Sequence, residues 1–311
     1  MKIGLALRFL FGGNCMKKIS KYLVWAFGVA WILQIAAGLL FRNGYRIGYS
    51  ALLSLSMFAP LLATAISGYG LRQLGWKPRL RKNLRWLLIA WFLPIVLGTI
   101  GAAIYFFVTP DAWDTTFSYA GEALGAEGIR QLEANGLSLK QYAVISAIAA
   151  LTYAPFINML LTIGEEVGWR GTMYPELKAR FGETKGRVLG GFVWGVWHWP
   201  IMLLAGYEYG TTYWGAPITG PLLFCVITVA MGILLDFLYG KTVSIWVPAL
   251  CHGTINAFSG VPILFLKPAY ADQLLLGPLM VGLIGGLPLI MTAVIICIYE
   301  KRKVRETGNE E

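Results

Sequence analysis

Long runs of apolar residues alternate with short polar segments along the whole chain. Eight runs are long enough, or nearly so, for the roughly 20 residues that a helix needs to cross a hydrocarbon core of about 30 Å. They cover residues 22–40, 51–69, 86–108, 142–163, 188–204, 221–239, 243–266 and 275–299. The runs are solidly apolar and lack the two-residue alternation of a membrane β-barrel. The pattern predicts an all-α, polytopic membrane helical bundle with about eight transmembrane helices.

The composition agrees with this pattern and excludes a water-soluble globule. Of 311 residues, 57% are hydrophobic and only 14% are charged, against about 25% charged in an ordinary soluble domain. We find no repeat and no linker, so we expect one membrane domain at 22–299, a cytoplasmic extension at 1–21 and a cytoplasmic tail at 300–311. Whether residues 1–15 belong to the native chain stays open, because Met16 is followed by two lysines like a second start.

The net charge of +10 would suit nucleic acid, but the distribution of basic residues favours membrane topology instead. With the N-terminus inside, the segments expected in the cytoplasm hold all but five of the 26 lysines and arginines. The exceptions are Arg42, Arg46, Arg130, Lys140 and Lys267. The positive-inside rule then places both termini in the cytoplasm. We expect a multi-pass protein of the cell membrane whose partners are membrane lipids, with no role in binding nucleic acid.

Two further features concern the cysteines and the longest outer connection. The four cysteines show no CxxC spacing, and three lie in apolar runs, so we expect neither a disulfide nor a zinc-finger framework; they are Cys15, Cys225, Cys251 and Cys297. The connection 109–141 contains a helical run at 120–135 with Gly136 as its stop. Its acidic residues favour a solvated helix over a substrate lid.

Ionisable groups inside the apolar runs are the candidates for chemistry, because burying such groups in a membrane is costly. Glu165 and Glu166 lie at the end of the fourth run. Residues i and i+4 share one face of a helix, so Glu166 is expected to pair with Arg170, while Glu165 faces elsewhere and stays free to act as a general base.

The only two histidines of the chain lie in the fifth and seventh runs. Trp194 lies one turn before His198, and His252 shares a helix face with Asn256. Gly191 and Gly195, spaced like a small-xxx-small motif, predict close approach of another helix. Counting 1.5 Å per residue places the acid, both imidazoles and the amide in the inner half of one bundle.

These residues resemble the CAAX-protease and bacteriocin-processing (Abi) family of intramembrane proteases, which includes the type II CAAX prenyl endopeptidases. The family pattern reads E-E-x-x-x-R, then aromatic-x-x-x-H, then H-x-x-x-N. Its matches, within a core of about 142–266, are Glu165, Glu166 and Arg170; Trp194 and His198; and His252 and Asn256. Trp194 stands where the generic pattern has phenylalanine, a conservative change. The residues around Arg170 and His198 look like a bacterial branch, which implies a bacterial plasma membrane.

The resemblance implies an intramembrane endopeptidase that cleaves a membrane-associated protein or peptide. Glu165, Glu166, His198, His252 and Asn256 would be catalytic, with Arg170 and Trp194 in support. In this view Glu165 and His198 activate a water, and His252 with Asn256 stabilises the oxyanion. A second view is a zinc site built from Glu165, His198 and His252. No HExxH motif occurs, and Asn256 suits an oxyanion donor better than a ligand, so we favour a mechanism without a cofactor.

Other functions stay open at this stage. The same cavity would suit a non-catalytic immunity factor or peptide-binding scaffold, and buried acids with histidines would suit a proton relay in a transporter. Cys251 beside His252 suggests a cysteine protease, but neighbouring helix residues diverge by about 100°. The sequence does not identify the substrate or say whether it is prenylated.

Overall fold

The structure is a computed structural model that describes residues 14–308. The question about residues 1–15 falls almost entirely outside this range. The helices of the described part are α1 (Asn14–Arg42), α2 (Arg46–Ser56), α3 (Ala59–Ile66), α4 (Leu80–Val108), α5 (Ser118–Ala134), α6 (Leu139–Leu151), α7 (Ala154–Gly168), α8 (Tyr174–Phe181), α9 (Glu183–Trp197), α10 (Trp199–Ala205), α11 (Thr219–Thr242), α12 (Trp246–Phe258) and α13 (Leu287–Gly308). Short 3₁₀ turns and one π-helical turn, Trp169–Met173, join them. No strand occurs among these residues.

The all-helical membrane fold is confirmed, and the number of spans is close to the expected eight. Within residues 14–308, six helical segments are long and apolar enough to cross a membrane, and a seventh is added if α6 and the segment Ala154–Phe181, bent by 55° at their junction, form one span. The eighth predicted run, 275–299, is helical only from Leu287. Three glycines and a proline between Gly277 and Gly285 disfavour helix there.

Close helix contacts build the centre of the bundle. α7 packs along α12, where Thr162 donates a hydrogen bond of 2.8 Å to the Ala249 carbonyl. A Cβ on Gly253 would lie 2.6 Å from backbone atoms of α7, so only glycine permits this approach. α9 packs along α11 in the same way, because Gly191 and Gly195 adjoin α11 backbone and side-chain atoms. The predicted small-residue contact is confirmed.

The connections gather at the two ends of the bundle as the charge pattern predicts. At one end, the loop before α4 packs against the start of α12, where the Ile245 amide donates to Gly75 and the Trp246 indole to Trp76. At the other end, residues 112–114 pair with residues 265–267 through backbone hydrogen bonds. The Lys267 amide donates to the Ala112 carbonyl, and the Asp114 amide donates to the Phe265 carbonyl. Both arrangements agree with the expected grouping of loops. Which end faces the cytoplasm stays a prediction, like the positions of both termini.

The helical run predicted at 120–135 is confirmed as α5, followed by Asn135 and by Gly136 at φ +69°; its outer position stays a prediction. A non-helical Gly125 interrupts it. Asp114 holds its start through hydrogen bonds from the amides and hydroxyls of Thr116 and Ser118.

The described thiols are free: Cys225 and Cys251 are buried and Cys297 is partly buried, as expected of small apolar side chains.

A cluster of buried ion pairs, which we name the Asp236 cluster, joins α8, α9, α11 and α13. Asp236 on α11 is fully buried and accepts hydrogen bonds from Lys178 at 2.9 Å and Arg187 at 2.6 Å. Arg187 also pairs with Glu300 on α13. The more exposed Glu183 lies 3.6 Å from Lys178. Two cations thus balance the buried carboxylate, and the cluster holds four helices together.

Candidate active site

Five of the seven residues singled out from the sequence line one cavity of about 220 Å³, whereas Glu166 and Arg170 are buried behind it. α7 contributes Glu165, α9 contributes Trp194 with His198 directly after its end, and α12 contributes His252 and Asn256. The end of α2 closes another wall with Ser54, Ser56 and Met57. Three separate sequence motifs therefore meet in space, because the close α7–α12 and α9–α11 contacts bring their helices together.

Glu165 is held by two neutral donors and by no cation. Its Oε2 accepts a hydrogen bond of 2.7 Å from the Trp194 indole and one of 3.1 Å from the Trp169 indole. The side chain is buried, with 2% of its surface exposed. Oε1 accepts none of the hydrogen bonds that the structure describes, although the residue lines the cavity. Glu165 therefore presents one unoccupied carboxylate oxygen, and its predicted separation from Arg170 is confirmed.

Glu166 makes the predicted ion pair and a second contact that the sequence did not reveal. Its Oε1 accepts hydrogen bonds of 2.9 Å from Arg170 and of 2.8 Å from Nδ1 of His252. Both Glu166 and Arg170 are fully buried, and the guanidinium lies over the Tyr174 and Trp194 rings. Glu166 thus orients His252 and fixes its Nδ1 as a donor, which leaves Nε2 as the other ring nitrogen for chemistry.

Trp194 links Glu165 to His198, since its indole donates to Glu165 and its carbonyl lies 2.9 Å from His198 Nδ1. A carbonyl can only accept, so Nδ1 carries a proton, and Nε2 of the neutral ring can take one. His198 stands at the break between α9 and α10. Its ring is sandwiched by aromatic neighbours and lies parallel to Tyr207, with centroids 6.1 Å apart and planes 9° apart. No direct hydrogen bond between Glu165 and His198 occurs among the described contacts.

Asn256 lies one turn beyond His252 on the wall of the cavity. The described hydrogen bonds give its side-chain amide no partner; only its backbone carbonyl accepts, from Ser259. Asn158 also lines the cavity, but its amide donates to the Ala154 carbonyl of its own helix. Of these two amides, Asn256 is the one with both donors free for a bound group.

The residues proposed as zinc ligands are not arranged as a metal site. No group of three or more His, Cys, Asp or Glu residues in the described part of the chain could hold a metal ion. Oε1 of Glu165 and Nε2 of each histidine take part in none of the described hydrogen bonds. The choice between a cofactor-free mechanism and a zinc site therefore stays a prediction.

The sequence reasoning missed two cavity residues, Tyr207 and Glu208, which lie in the connection between α10 and α11. The charge pattern predicts this connection at the outer end of the bundle, away from the inner half in which the motif residues were expected. It still reaches the cavity, because α10 has only seven residues and Tyr207 stacks against His198. The one sequence signal was an acidic residue between Gly206 and Gly210 in an otherwise apolar stretch.

The segment that carries the site is similar to known proteins. Residues 142–258 match the family model described as type II CAAX prenyl endopeptidase Rce1-like. A curated relative, CAAX prenyl protease 2 of Methanococcus maripaludis, is 30% identical over 103 residues. That match covers 32% of this chain and 37% of the relative, so the chain matches little more than a third of the relative's length. The two matches support a relation of this segment of the multi-pass membrane protein to the CAAX protease family.

Proposed function

We propose that this protein is an intramembrane endopeptidase that hydrolyses a peptide bond of a membrane-associated protein or peptide. The observation that carries the proposal is the meeting of Glu165, His198, His252 and Asn256 around one cavity. The cavity supplies a free carboxylate oxygen, an imidazole with a free nitrogen and an amide donor. Peptide hydrolysis needs a base for water, a proton carrier and a donor for the oxyanion.

In the proposed reaction, Glu165 takes a proton from a water molecule as this water attacks the scissile carbonyl. His198 orients the water through Nε2, then receives the proton that Glu165 has taken up and passes it to the leaving amine, so that both groups return to their starting states. The Trp194 contacts fix the relative positions of the two groups, which favours a productive geometry. The indole hydrogen bonds carry no charge, so Glu165 remains able to take up a proton.

His252 and Asn256 stabilise the oxyanion in this proposal. In this proposal both ring nitrogens of His252 carry a proton, so that Nδ1 donates to Glu166 and Nε2 donates to the oxyanion. Asn256 donates from its free amide. Arg170 supports Glu166 and does not touch the reacting atoms. Donors that are fixed in advance act most strongly where water is excluded.

We further propose the cytoplasmic membrane of a bacterium as the location, no cofactor and a membrane-anchored substrate. The competing proposal of a zinc enzyme makes a distinct prediction for the purified protein. A zinc enzyme would hold one bound zinc per chain and lose it in His198→Ala, and its activity would be removed by a chelator and restored by zinc. These results together would replace the metal-free proposal.

The direct experiment compares membranes of cells that carry the wild type, Glu165→Gln or Glu133→Gln. Glu133 is exposed on α5 and serves as the matched control. We expect new protein N-termini with the wild type and the control that disappear with Glu165→Gln. Identical N-termini in all three would contradict the proposal and favour a non-catalytic peptide-binding scaffold.

A further inference from the structure

The loop after α10 carries a carboxylate into the candidate active site. Glu208 lines the cavity together with Glu165 and His198. The hydroxyl of the neighbouring Tyr207 is the hydrogen-bond partner of this carboxylate, and the Tyr207 ring stacks against His198. No lysine, arginine or histidine within the described residues forms an ion pair with Glu208. Unlike Glu166 and Asp236, this carboxylate has no basic partner.

The backbone places Glu208 in a fixed and unfavourable conformation. Its φ is +72°, a left-handed value that is unfavourable for a residue with a Cβ. Gly206 and Gly210 on either side also have positive φ values, and the Gly210 amide donates to the Gly206 carbonyl at 2.8 Å. Local strain of this kind persists where the surroundings determine it, and it is concentrated at functional sites.

The next residue anchors this loop in the bundle. The buried Tyr209 hydroxyl donates a hydrogen bond of 2.6 Å to the carbonyl of Val281, another residue of the cavity wall. The anchor holds Glu208 at the cavity and not in solvent. Burial raises the pKa of Glu208 to about 7, although the Tyr207 hydroxyl opposes this shift. A cation beside the carboxylate would favour its charged form and would relieve the cost of burying it.

We propose that Glu208 is a binding residue for a cationic group of the peptide that occupies the cavity, either a lysine or arginine side chain or a free amino terminus. The peptide ligand rests on the proposed function, but the preference for a cation rests on the charge of the wall itself. Glu165 adds a second carboxylate to the same wall, so a peptide carboxylate near this point is disfavoured. Glu208 thus acts on specificity and leaves water activation to Glu165.

A binding experiment tests this inference separately from catalysis. Glu165→Gln protein in neutral detergent is titrated with amidated and acetylated apolar peptides in which a single lysine, or norleucine as its uncharged counterpart, occupies each position in turn. We expect at least one position at which lysine binds about tenfold more tightly than norleucine, as a charged hydrogen bond provides. Peptides with a free amino terminus distinguish that source of charge from a side chain.

Adding Glu208→Gln should abolish this preference, and Glu208→Lys should reverse it in favour of glutamate peptides. Glu208→Asn is a second neutral variant in case glutamine does not fold, since asparagine tolerates positive φ. Glu122→Gln, at an exposed position of α5, is the control. The inference fails if no lysine position binds more tightly than norleucine, or if the preference survives both neutral variants. If the preference holds but wild-type protein cleaves none of the peptides, the subsite stands and the protease proposal fails.

Discussion

Two buried carboxylates of this protein, Asp236 and Glu165, are stabilised in opposite ways. Asp236 accepts charged hydrogen bonds from Lys178 and Arg187 and lies in a cluster that joins four helices. Glu165 accepts two indole hydrogen bonds and faces a cavity. Both side chains are almost completely buried, so burial alone does not separate them.

The difference in partners assigns different tasks to the two acids. Two cations balance the charge of Asp236, and a carboxylate held in this way contributes to structure. Neutral donors hold Glu165 in place without supplying a compensating charge, and its second oxygen stays available to a water molecule. Glu166 belongs with Asp236, because Arg170 compensates its charge. The comparison therefore supports the proposal that Glu165 is the base and that Glu166 positions His252.

The largest stability effect is expected at the Asp236 cluster. Asp236→Asn leaves Lys178 and Arg187 without their shared buried partner, and breaking a buried pair costs about 3–5 kcal/mol. The free energy of unfolding in micelles measures this loss. Glu183→Gln is the control, because its side chain is 64% exposed and should change stability by about 0.5 kcal/mol or less. Equal losses in both variants would contradict the structural role of Asp236.

Asn256→Ala should lower turnover by about 10²–10³, the usual effect of losing one oxyanion donor. Asn158→Ala is the matched control, since Asn158 lines the same cavity but its amide donates a hydrogen bond to a carbonyl of its own helix. We expect a much smaller loss there, with substrate binding little changed in both variants. A cleavage assay in liposomes gives both rates, and equal losses would remove Asn256 from the oxyanion site.

Asp114 extends the comparison to a carboxylate that several neutral donors hold outside the membrane. Burial disfavours its charged form, but hydrogen bonds from Ser118 and Thr116 outweigh burial and hold its pKa well below the ordinary value. Asp114→Asn should therefore lose about 1–3 kcal/mol at pH 7. The wild-type advantage is fully present above the unfolded pKa of about 3.9, and it disappears as the pH falls through the lower folded pKa.

Unfolding measured at pH 7 and near pH 3 checks this prediction. Asp111→Asn, at a neighbouring exposed position, serves as the control and should change little at either pH. A loss for Asp114→Asn that is independent of pH, or one that the control shares, would show that the carboxylate charge is not what stabilises this turn.

Much of the site follows from the sequence, because helical spacing determines which residues share a face. The Glu166–Arg170 pair and the shared face of His252 and Asn256 are local, and both were predictable. The contact of His252 with Glu166 was not, since it depends on how closely α7 and α12 approach. Gly253 permits that approach, but a single glycine does not name its partner helix.

Irregular backbone accounts for the remaining differences from the sequence expectations. Hydropathy indicated a span at 275–299 because it measures apolarity and not helix formation. The position of Glu208 depends on the short α10 and on the Tyr209 anchor to Val281. Neither the length of α10 nor the contact of Tyr209 with Val281 has a periodic signal in the sequence. The bridging role of Trp194 was missed for a similar reason, because it uses the backbone carbonyl as well as the indole.

The most direct test of the account is the turnover and stability of Glu165→Gln measured on one preparation in liposomes, with a peptide that spans an identified cleavage site. Glutamine can still accept the indole hydrogen bonds but cannot take a proton from water. We predict a loss of turnover of about 10²–10⁴, the range for a general base, with stability unchanged within about 1 kcal/mol. Turnover that stays close to that of the wild type in a stable Glu165→Gln protein would contradict the assignment of Glu165 as the base.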